Sequence, residues 1–145
     1  MGKRRKARES TLQILFQLEF DNTHPQKTIA RYWEVKKAPS EVREYSSWLI
    51  NGILSRKQEL DNIIQSVSEH WRISRMALVD RNILRMAVFE LLYEENMPAA
   101  VVINEAIEIA KKYSSDEAAT FVNGILDAIK KNLDSLRESK REREK

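Results

Sequence analysis

The first eight residues of the chain concentrate positively charged side chains that could bind phosphate groups. Five of these residues are cationic and none is acidic; the cations are Lys3, Arg4, Arg5, Lys6 and Arg8. The whole chain has 25 Lys and Arg against 22 Asp and Glu, so the rest of the chain has 20 against 22. A general polyanion binder would spread such an excess over its surface. This chain instead holds its positive excess in one short N-terminal arm, and a solvated or disordered tail is the alternative to a binding role.

Residue patterns typical of catalytic and metal sites are missing from the sequence. There is no cysteine, which excludes disulfides and thiolate ligands, and there is no Gly-rich phosphate loop or nucleophilic serine motif. The two histidines, His24 and His70, are far apart and neither has metal-ligand spacing around it. We therefore predict that the protein is not an enzyme and uses no metal and no cofactor.

Length and composition favour one all-helical domain. A chain of 145 residues can bury roughly 70% of its unfolded surface in a core. It contains only three Gly and three Pro, and stretches rich in Ala, Leu, Ile, Glu and Lys dominate it. No apolar run approaches the roughly 20 residues of a membrane span, and the polar residues near the N-terminus argue against a signal peptide. We expect a cytoplasmic protein with no membrane partner.

Hydrophobic periodicity and turn signals divide the chain into helices. The predicted helices cover about residues 4–20, 26–35, 40–70 with a possible break near Ser55, 79–94, 100–113, and a last one that ends near Leu133. Pro39 and Ser40 provide a stop and an N-cap, and Ser114 with Glu117 provides a capping box before the last helix. The charged segment 137–145 has no apolar face and is predicted to be a disordered tail.

A short internal sequence repeat, which we call the echo, suggests that the chain consists of two related halves. The sequence LINGIL at 49–54 returns as FVNGIL at 121–126, and Phe16 matches Phe89 at a nearly equal offset. This pattern predicts two packed three-helix subdomains, about 1–72 and 73–136, within a single domain of residues 1–136. Chance similarity between amphipathic helices is the alternative. Gly52 and Gly124 at equivalent positions predict close approach where helices cross, since glycine otherwise weakens a helix.

Three motifs of the second half, together with the arginine-rich start, resemble the NusB family of bacterial transcription antitermination factors. The motifs are DRNILR from residue 80, VINEAIEIAK from 102 and FVNGILD from 121, and the N-terminal stretch is RRKARESTLQILFQLEF. The resemblance implies an all-helical fold of two three-helix subdomains. It also implies binding to the boxA element of nascent single-stranded RNA together with NusE, a small-subunit ribosomal protein. In that role the factor supports processive transcription of ribosomal RNA and meets RNA polymerase indirectly.

The resemblance also implies which residues bind each partner. The RNA-binding residues would be the five N-terminal cations, with Thr120 and Phe121 at a second RNA-facing edge; Phe121 could instead be a core aromatic. This edge departs from the family pattern at Ser114, Glu117, Ala118 and Thr120, where relatives carry Gly, Asp, Ser and Lys. NusE would contact Phe16 and Asp80, although Phe16 could be a core anchor and Asp80 a residue that only favours the helix start.

Two other functions fit the sequence. Helical domains of similar fold precede RNA methyltransferases in some larger enzymes, and this chain carries no methyl-donor motif, so it could only be a fragment of one. Alternatively, the protein is an adaptor that binds proteins without RNA specificity. The sequence leaves the choice between monomer and homodimer open.

Overall fold

The computed structural model describes residues 2–145 and confirms the all-α prediction. Among these residues there are eight α-helices, one 3-10 turn at Ile73–Arg75, and no strand. The helices are α1 (Gly2–Phe20), α2 (Pro25–Val35), α3 (Ser40–Ser55), α4 (Lys57–Val67), α5 (Leu78–Tyr93), α6 (Ala99–Tyr113), α7 (Asp116–Lys131) and α8 (Leu133–Arg143). None of the helices in this described part of the chain is both long and apolar enough to cross a membrane.

The helix ends follow local sequence signals with small shifts from the prediction. The predicted break in 40–70 is confirmed, because α3 ends at Ser55 and α4 begins at Lys57. The cap of α7 is Ser115, whose hydroxyl accepts a hydrogen bond from the Ala118 backbone N–H at 3.0 Å. Ser114 instead follows the end of α6, so the predicted capping box on Ser114 is wrong by one residue.

Helix α5 is the centre of the molecule. Every residue from Asn82 to Leu92 is buried, as expected for a helix surrounded by others, and the charged Arg85 and Glu90 within it have ion-pair partners. It packs against α1, α3, α4, α6, α7 and α8. The large core around it takes side chains from both halves of the chain, including Leu12, Leu49, Ile109 and Leu126. One core therefore joins the two halves that the echo suggests.

The two echoed glycines have different surroundings. A Cβ atom added to Gly52 would lie 2.0 Å from the Phe89 ring, so α3 can approach α5 here only because residue 52 has no side chain. At Gly124 a Cβ atom would meet nothing within 4 Å. The prediction of close approach is confirmed for Gly52 and wrong for Gly124, which lies on an exposed face of α7.

The charged segment after residue 136, for which the sequence analysis predicts a disordered tail, forms most of helix α8 in the structure. Helix α8 continues to Arg143, and Arg137 donates two hydrogen bonds, of 3.0 and 2.8 Å, to the Leu91 carbonyl oxygen. Lys140 donates to the Leu92 carbonyl oxygen at 3.1 Å and forms an ion pair with Glu95. The last carbonyls of a helix lack partners within it and attract cations, which explains why this segment docks on the end of α5.

Alanine substitutions at the two glycines should have opposite effects. Gly52→Ala forces a methyl group into the buried Phe89 ring and should lower the free energy of unfolding by about 1–3 kcal/mol, as overpacking does. Gly124→Ala, its matched control, should raise that free energy by about 0.5–1 kcal/mol, because alanine is the better helix former. Urea unfolding of both variants measures this difference, and equal effects would contradict the close approach at Gly52.

Candidate nucleic-acid interface

The first two turns of α1 present cations on the surface. We define the cation cluster as Lys3, Arg4, Arg5 and Lys6. The side chains of Lys3, Arg4 and Arg5 are 61%, 46% and 43% exposed, and Lys6 is also exposed. Because the helix already begins at Gly2, these cations lie on an ordered helix rather than on a flexible arm.

Three of the four clustered cations have acidic neighbours. Lys3 pairs with Glu41 at 2.9 Å, and Arg4 is 3.6 Å from Glu94. Arg5 makes a two-bond contact with the buried Glu105, at 3.0 and 2.5 Å. Lys6 has no ion pair within residues 2–145. Exposed pairs contribute only about 0–1 kcal/mol, so Lys3 and Arg4 can exchange their partners for phosphate at little cost.

Arg8 is not part of this surface, which corrects the prediction that it contacts RNA. Its side chain is 2% exposed and donates three hydrogen bonds to the Glu90 carboxylate, at 2.8 to 3.1 Å. A fourth bond, of 3.3 Å, joins it to Glu105. The sequence carries a signal for this placement, because residue 8 lies on the same helical stripe as Leu12 and Leu15.

Charge pairing offsets the cost of burying Arg8. Burial alone would lower the pKa of Arg8, but the hydrogen bonds and the charge of Glu90 outweigh it and raise that pKa. The hydrogen bond from Arg5 lowers the pKa of Glu105. Tyr45 on α3 donates its hydroxyl proton to Glu90 at 2.6 Å, and burial together with the Glu90 charge raises the pKa of Tyr45 strongly. Sequence analysis missed Tyr45, Glu90 and Glu105 as members of this site.

Thr120 and Phe121 lie at the other end of the molecule from the cation cluster. Phe121 lines a hollow with Asp80 at the start of α5, whereas Arg4 lies beside Glu94 just after the end of that helix. Fourteen residues of helical rise separate these two ends by roughly 20 Å. Thr120 is exposed and its hydroxyl bonds to the Asp116 carbonyl oxygen, at 3.2 Å.

The packing of Phe121 is compatible with both roles that the sequence left open, a core aromatic and a ring that RNA can reach. Its ring is partly buried and packs against the large core, and it also lines the hollow that contains Asp80 and Trp71. One face of the ring is therefore structural, while the hollow leaves access to the rest of it.

The two predicted partner residues lie near each other, at the end that carries Phe121. Phe16 is 37% exposed and meets the exposed Phe20 edge to face at 5.2 Å, so it is a surface aromatic rather than a core anchor. It shares a hollow with Val79, the residue before Asp80. One carboxylate oxygen of Asp80 is buried and has no hydrogen-bond partner within residues 2–145.

No metal centre is formed by the part of the chain that the structure describes. Residues 2–145 contain no group of three His, Asp or Glu side chains placed to hold an ion. Both histidines, His24 and His70, are exposed.

Comparison with known proteins gives one consistent result. The family model described as NusB family matches residues 5–131. A transcription antitermination protein NusB of Elusimicrobium minutum is 46% identical over 134 residues, covering 90% of this chain and 95% of the relative. A protein of the same name from Syntrophus aciditrophicus is 44% identical over 129 residues, covering 89% of this chain and 80% of the relative.

A solved structure gives the same match at the level of the fold. It is the crystal structure of antitermination factors NusB and NusE in complex with dsRNA, and it superposes with a TM-score of 0.81 at 30% sequence identity. The match covers 90% of this chain and 98% of the other.

Substitution of Arg8 should affect the fold, not the exposed surface. Arg8→Met leaves Glu90 and Glu105 without their buried cation and should lower the free energy of unfolding by about 3–5 kcal/mol. The matched control Lys6→Met removes an exposed charge two positions away and should change it by no more than about 0.5 kcal/mol. Urea unfolding measures both values, and a stable Arg8→Met variant would contradict the structural role of Arg8.

Proposed function

The chain belongs to the NusB family, and from that membership we propose that it is an RNA-binding transcription antitermination factor. It binds the boxA element of nascent RNA together with NusE and supports processive transcription of ribosomal RNA. It acts by binding rather than by catalysis, and it works in the cytoplasm, where nascent transcripts are.

The observation that carries this proposal is the cation cluster on an anchored helix. The buried contacts of Arg8 hold the first turns of α1 in place, and Lys3, Arg4 and Lys6 extend from the same turns into solvent. Ordered cations that need not fold on binding lose less entropy when they meet phosphate. The rest of the chain, with 20 basic and 22 acidic residues, offers no comparable excess.

The burial of Arg8 supports four rather than five phosphate contacts at the N-terminus. Each contact with a single strand contributes about −0.7 to the slope of log affinity against log salt. Five cations would give a slope of roughly −3.5, whereas the four of the cation cluster give at most roughly −2.8. Arg5 contributes least among these four, because Glu105 holds its guanidinium in two hydrogen bonds.

The second end of the molecule is the proposed NusE surface. Phe16 and Phe20 are exposed aromatics, and aromatic side chains are common energetic centres of protein interfaces. Asp80 is partly exposed and lines the adjoining hollow, so its negative charge suits contact with a basic ribosomal protein. Phe121 in the adjoining hollow places a base-stacking face beside this surface, so RNA and NusE can meet there.

Removal of the exposed cations should weaken RNA binding without affecting the fold. The triple variant Lys3→Gln, Arg4→Gln, Lys6→Gln should bind boxA-like single-stranded RNA at least ~10-fold more weakly, with a salt slope smaller by about 2. Fluorescence anisotropy over a range of salt concentrations measures both quantities, and urea unfolding checks the fold.

A charge-matched control and three RNA ligands make this test specific. The control replaces three exposed cations elsewhere on the surface: Lys27→Gln, Arg31→Gln, Lys111→Gln. It should bind RNA almost as the unmodified protein does. We expect scrambled RNA and a matched duplex to bind more weakly than boxA-like RNA, since A-form duplexes hide base edges. A related complex contains dsRNA, which is why a duplex is included among the ligands. Equal affinity for all three ligands would contradict boxA recognition and favour an adaptor that lacks RNA specificity.

Charge reversal at Asp80 should separate partner binding from stability. Asp80→Lys should weaken NusE binding because it places a cation against a basic protein, and it should cost the isolated fold at most ~1 kcal/mol through the helix dipole. Calorimetry measures the partner affinity, and urea unfolding measures stability on the same sample.

The control for Asp80 is an acidic residue in the first turn of another helix. Asp134 is an exposed residue of the first turn of α8, so Asp134→Lys reverses a similar charge away from the proposed interface. It should leave NusE affinity unchanged. Equal losses in the two variants, or a loss explained by unfolding of Asp80→Lys, would overturn the assignment of this surface.

A further inference from the structure

Aromatic side chains continue the cation cluster along α3. The Arg4 guanidinium lies 4.5 Å from the centre of the Tyr45 ring, and Tyr45 is followed by Trp48 at 5.5 Å between ring centres. Trp48 in turn lies 4.9 Å from Phe89. The indole of Trp48 is 38% exposed, although aromatic side chains on either side contact it. The accessible ring of Trp48 therefore lies next to Tyr45, the residue that Arg4 of the proposed RNA site contacts.

Two open hollows meet at Trp48. The first, of about 370 Å³, is lined by Lys3, Arg4, Glu41, Glu44, Tyr45 and Trp48. The second, of about 310 Å³, is lined by Trp48, Asn51, Gly52, Ser55, Arg56, Phe89 and Tyr93. Because Trp48 lines both, the two hollows adjoin each other along α3, and the first of them begins at the cation cluster. We call these two adjoining hollows the α3 trough.

The far end of the α3 trough carries a positioned cation. The Arg56 guanidinium lies 4.5 Å from the centre of the Tyr93 ring, and its Nε donates a hydrogen bond to the Tyr93 hydroxyl at 2.8 Å. Its Nη1 donates to the Ser55 hydroxyl at 3.2 Å. No carboxylate forms an ion pair with Arg56 among residues 2–145. The guanidinium is thus held in place and keeps N–H groups for an anion.

We infer that single-stranded RNA bound at the cation cluster continues along the α3 trough, with one base stacked on Trp48 and one phosphate on Arg56. This inference rests on the proposed RNA-binding function. Cations that follow the backbone and aromatic rings that take the bases are the two components of single-strand sites. From Tyr45 to Arg56 the helix rises roughly 16 Å, which is enough length for a short stretch of nucleotides.

The acidic residues of the first hollow set where the RNA backbone can run. Glu41 and Glu44 are both exposed, and once Lys3 exchanges Glu41 for phosphate, both carboxylates repel the RNA backbone. The backbone must therefore keep to the side of Lys3 and Arg4 and reach the next cation only at Arg56. The stretch between them offers aromatic surface, which suits a base rather than a phosphate.

Substitutions at two residues, Trp48 and Arg56, test the inference, and each has a matched control residue on α3. Trp48→Ala removes the stacking surface and should weaken binding of boxA-like RNA, extended by four nucleotides at each end, by about 5- to 100-fold. Trp48→Phe keeps a ring and should restore most of that loss. Leu54→Ala, the control, changes a side chain of α3 that is 36% exposed but lies outside the trough, and it should bind RNA as the unmodified protein does.

The second site tests the phosphate contact at Arg56. Arg56→Gln should reduce the salt slope for the extended RNA by about 0.7, the value for one contact. Its control is Arg43→Gln, which removes the same charge from α3 near Trp33 and outside the trough, and it should not change the slope. Thermal melting checks that each variant is folded, and Arg56→Gln keeps the test decisive if Trp48→Ala fails to fold.

The outcomes distinguish failure of this inference from failure of the proposed function. If the unmodified protein binds boxA-like RNA, and folded Trp48→Ala and Arg56→Gln variants bind it equally well with the same salt slope, the α3 trough is not part of the RNA path. If the unmodified protein does not prefer boxA-like RNA, the proposed function itself fails. If Trp48→Ala loses NusE binding but not RNA binding, the trough is a protein-binding surface and the inference is overturned.

Discussion

The buried guanidinium of Arg8 is the interaction on which the arrangement of the helices depends. It joins α1 to Glu90 on α5 and to Glu105 on α6, and Tyr45 from α3 completes the hydrogen bonding of Glu90. Removing a cation from water costs several kcal/mol unless its N–H groups and the paired carboxylates are all satisfied. Rotation or sliding of α1 would leave these charges buried without partners. The buried contacts of Arg8 therefore fix the position of α1 relative to α3, α5 and α6.

This anchoring connects the interior to the proposed RNA surface. The turns of α1 that bury Arg8 also carry Lys3, Arg4 and Lys6 on their outer side, and Arg5 bonds to Glu105, which itself contacts Arg8. The cation cluster is consequently part of the folded structure and presents its charges in fixed positions. Binding of RNA then costs little ordering of the protein.

The two halves of the chain use similar sequence for different purposes. Phe16 and Phe89 occupy echoed positions, yet Phe16 is 37% exposed and Phe89 is 2% exposed. The difference arises because α5 is enclosed by other helices on all sides, whereas α1 keeps an open face. The two glycines differ for the same reason. Gly52 lies against the enclosed Phe89, while its counterpart Gly124 faces solvent. The open face leaves aromatics available at the proposed partner surface.

The sequence by itself determined the helical class, most helix bounds, a break near Ser55 and the location of the positive charge. These properties depend on periodicity, caps and breakers within a few residues of each other, which a sequence displays directly. Only the tertiary structure decided that Arg8 is buried, that Phe16 is exposed, that 137–143 docks on α5, and that Tyr45 and Trp48 adjoin Arg4. The deciding contacts join residues as far apart as 82 and 100 positions, as in Arg8–Glu90 and Arg5–Glu105. A charge or a ring has the same local pattern whether it meets solvent or a distant partner, so its role follows from which helices pack together.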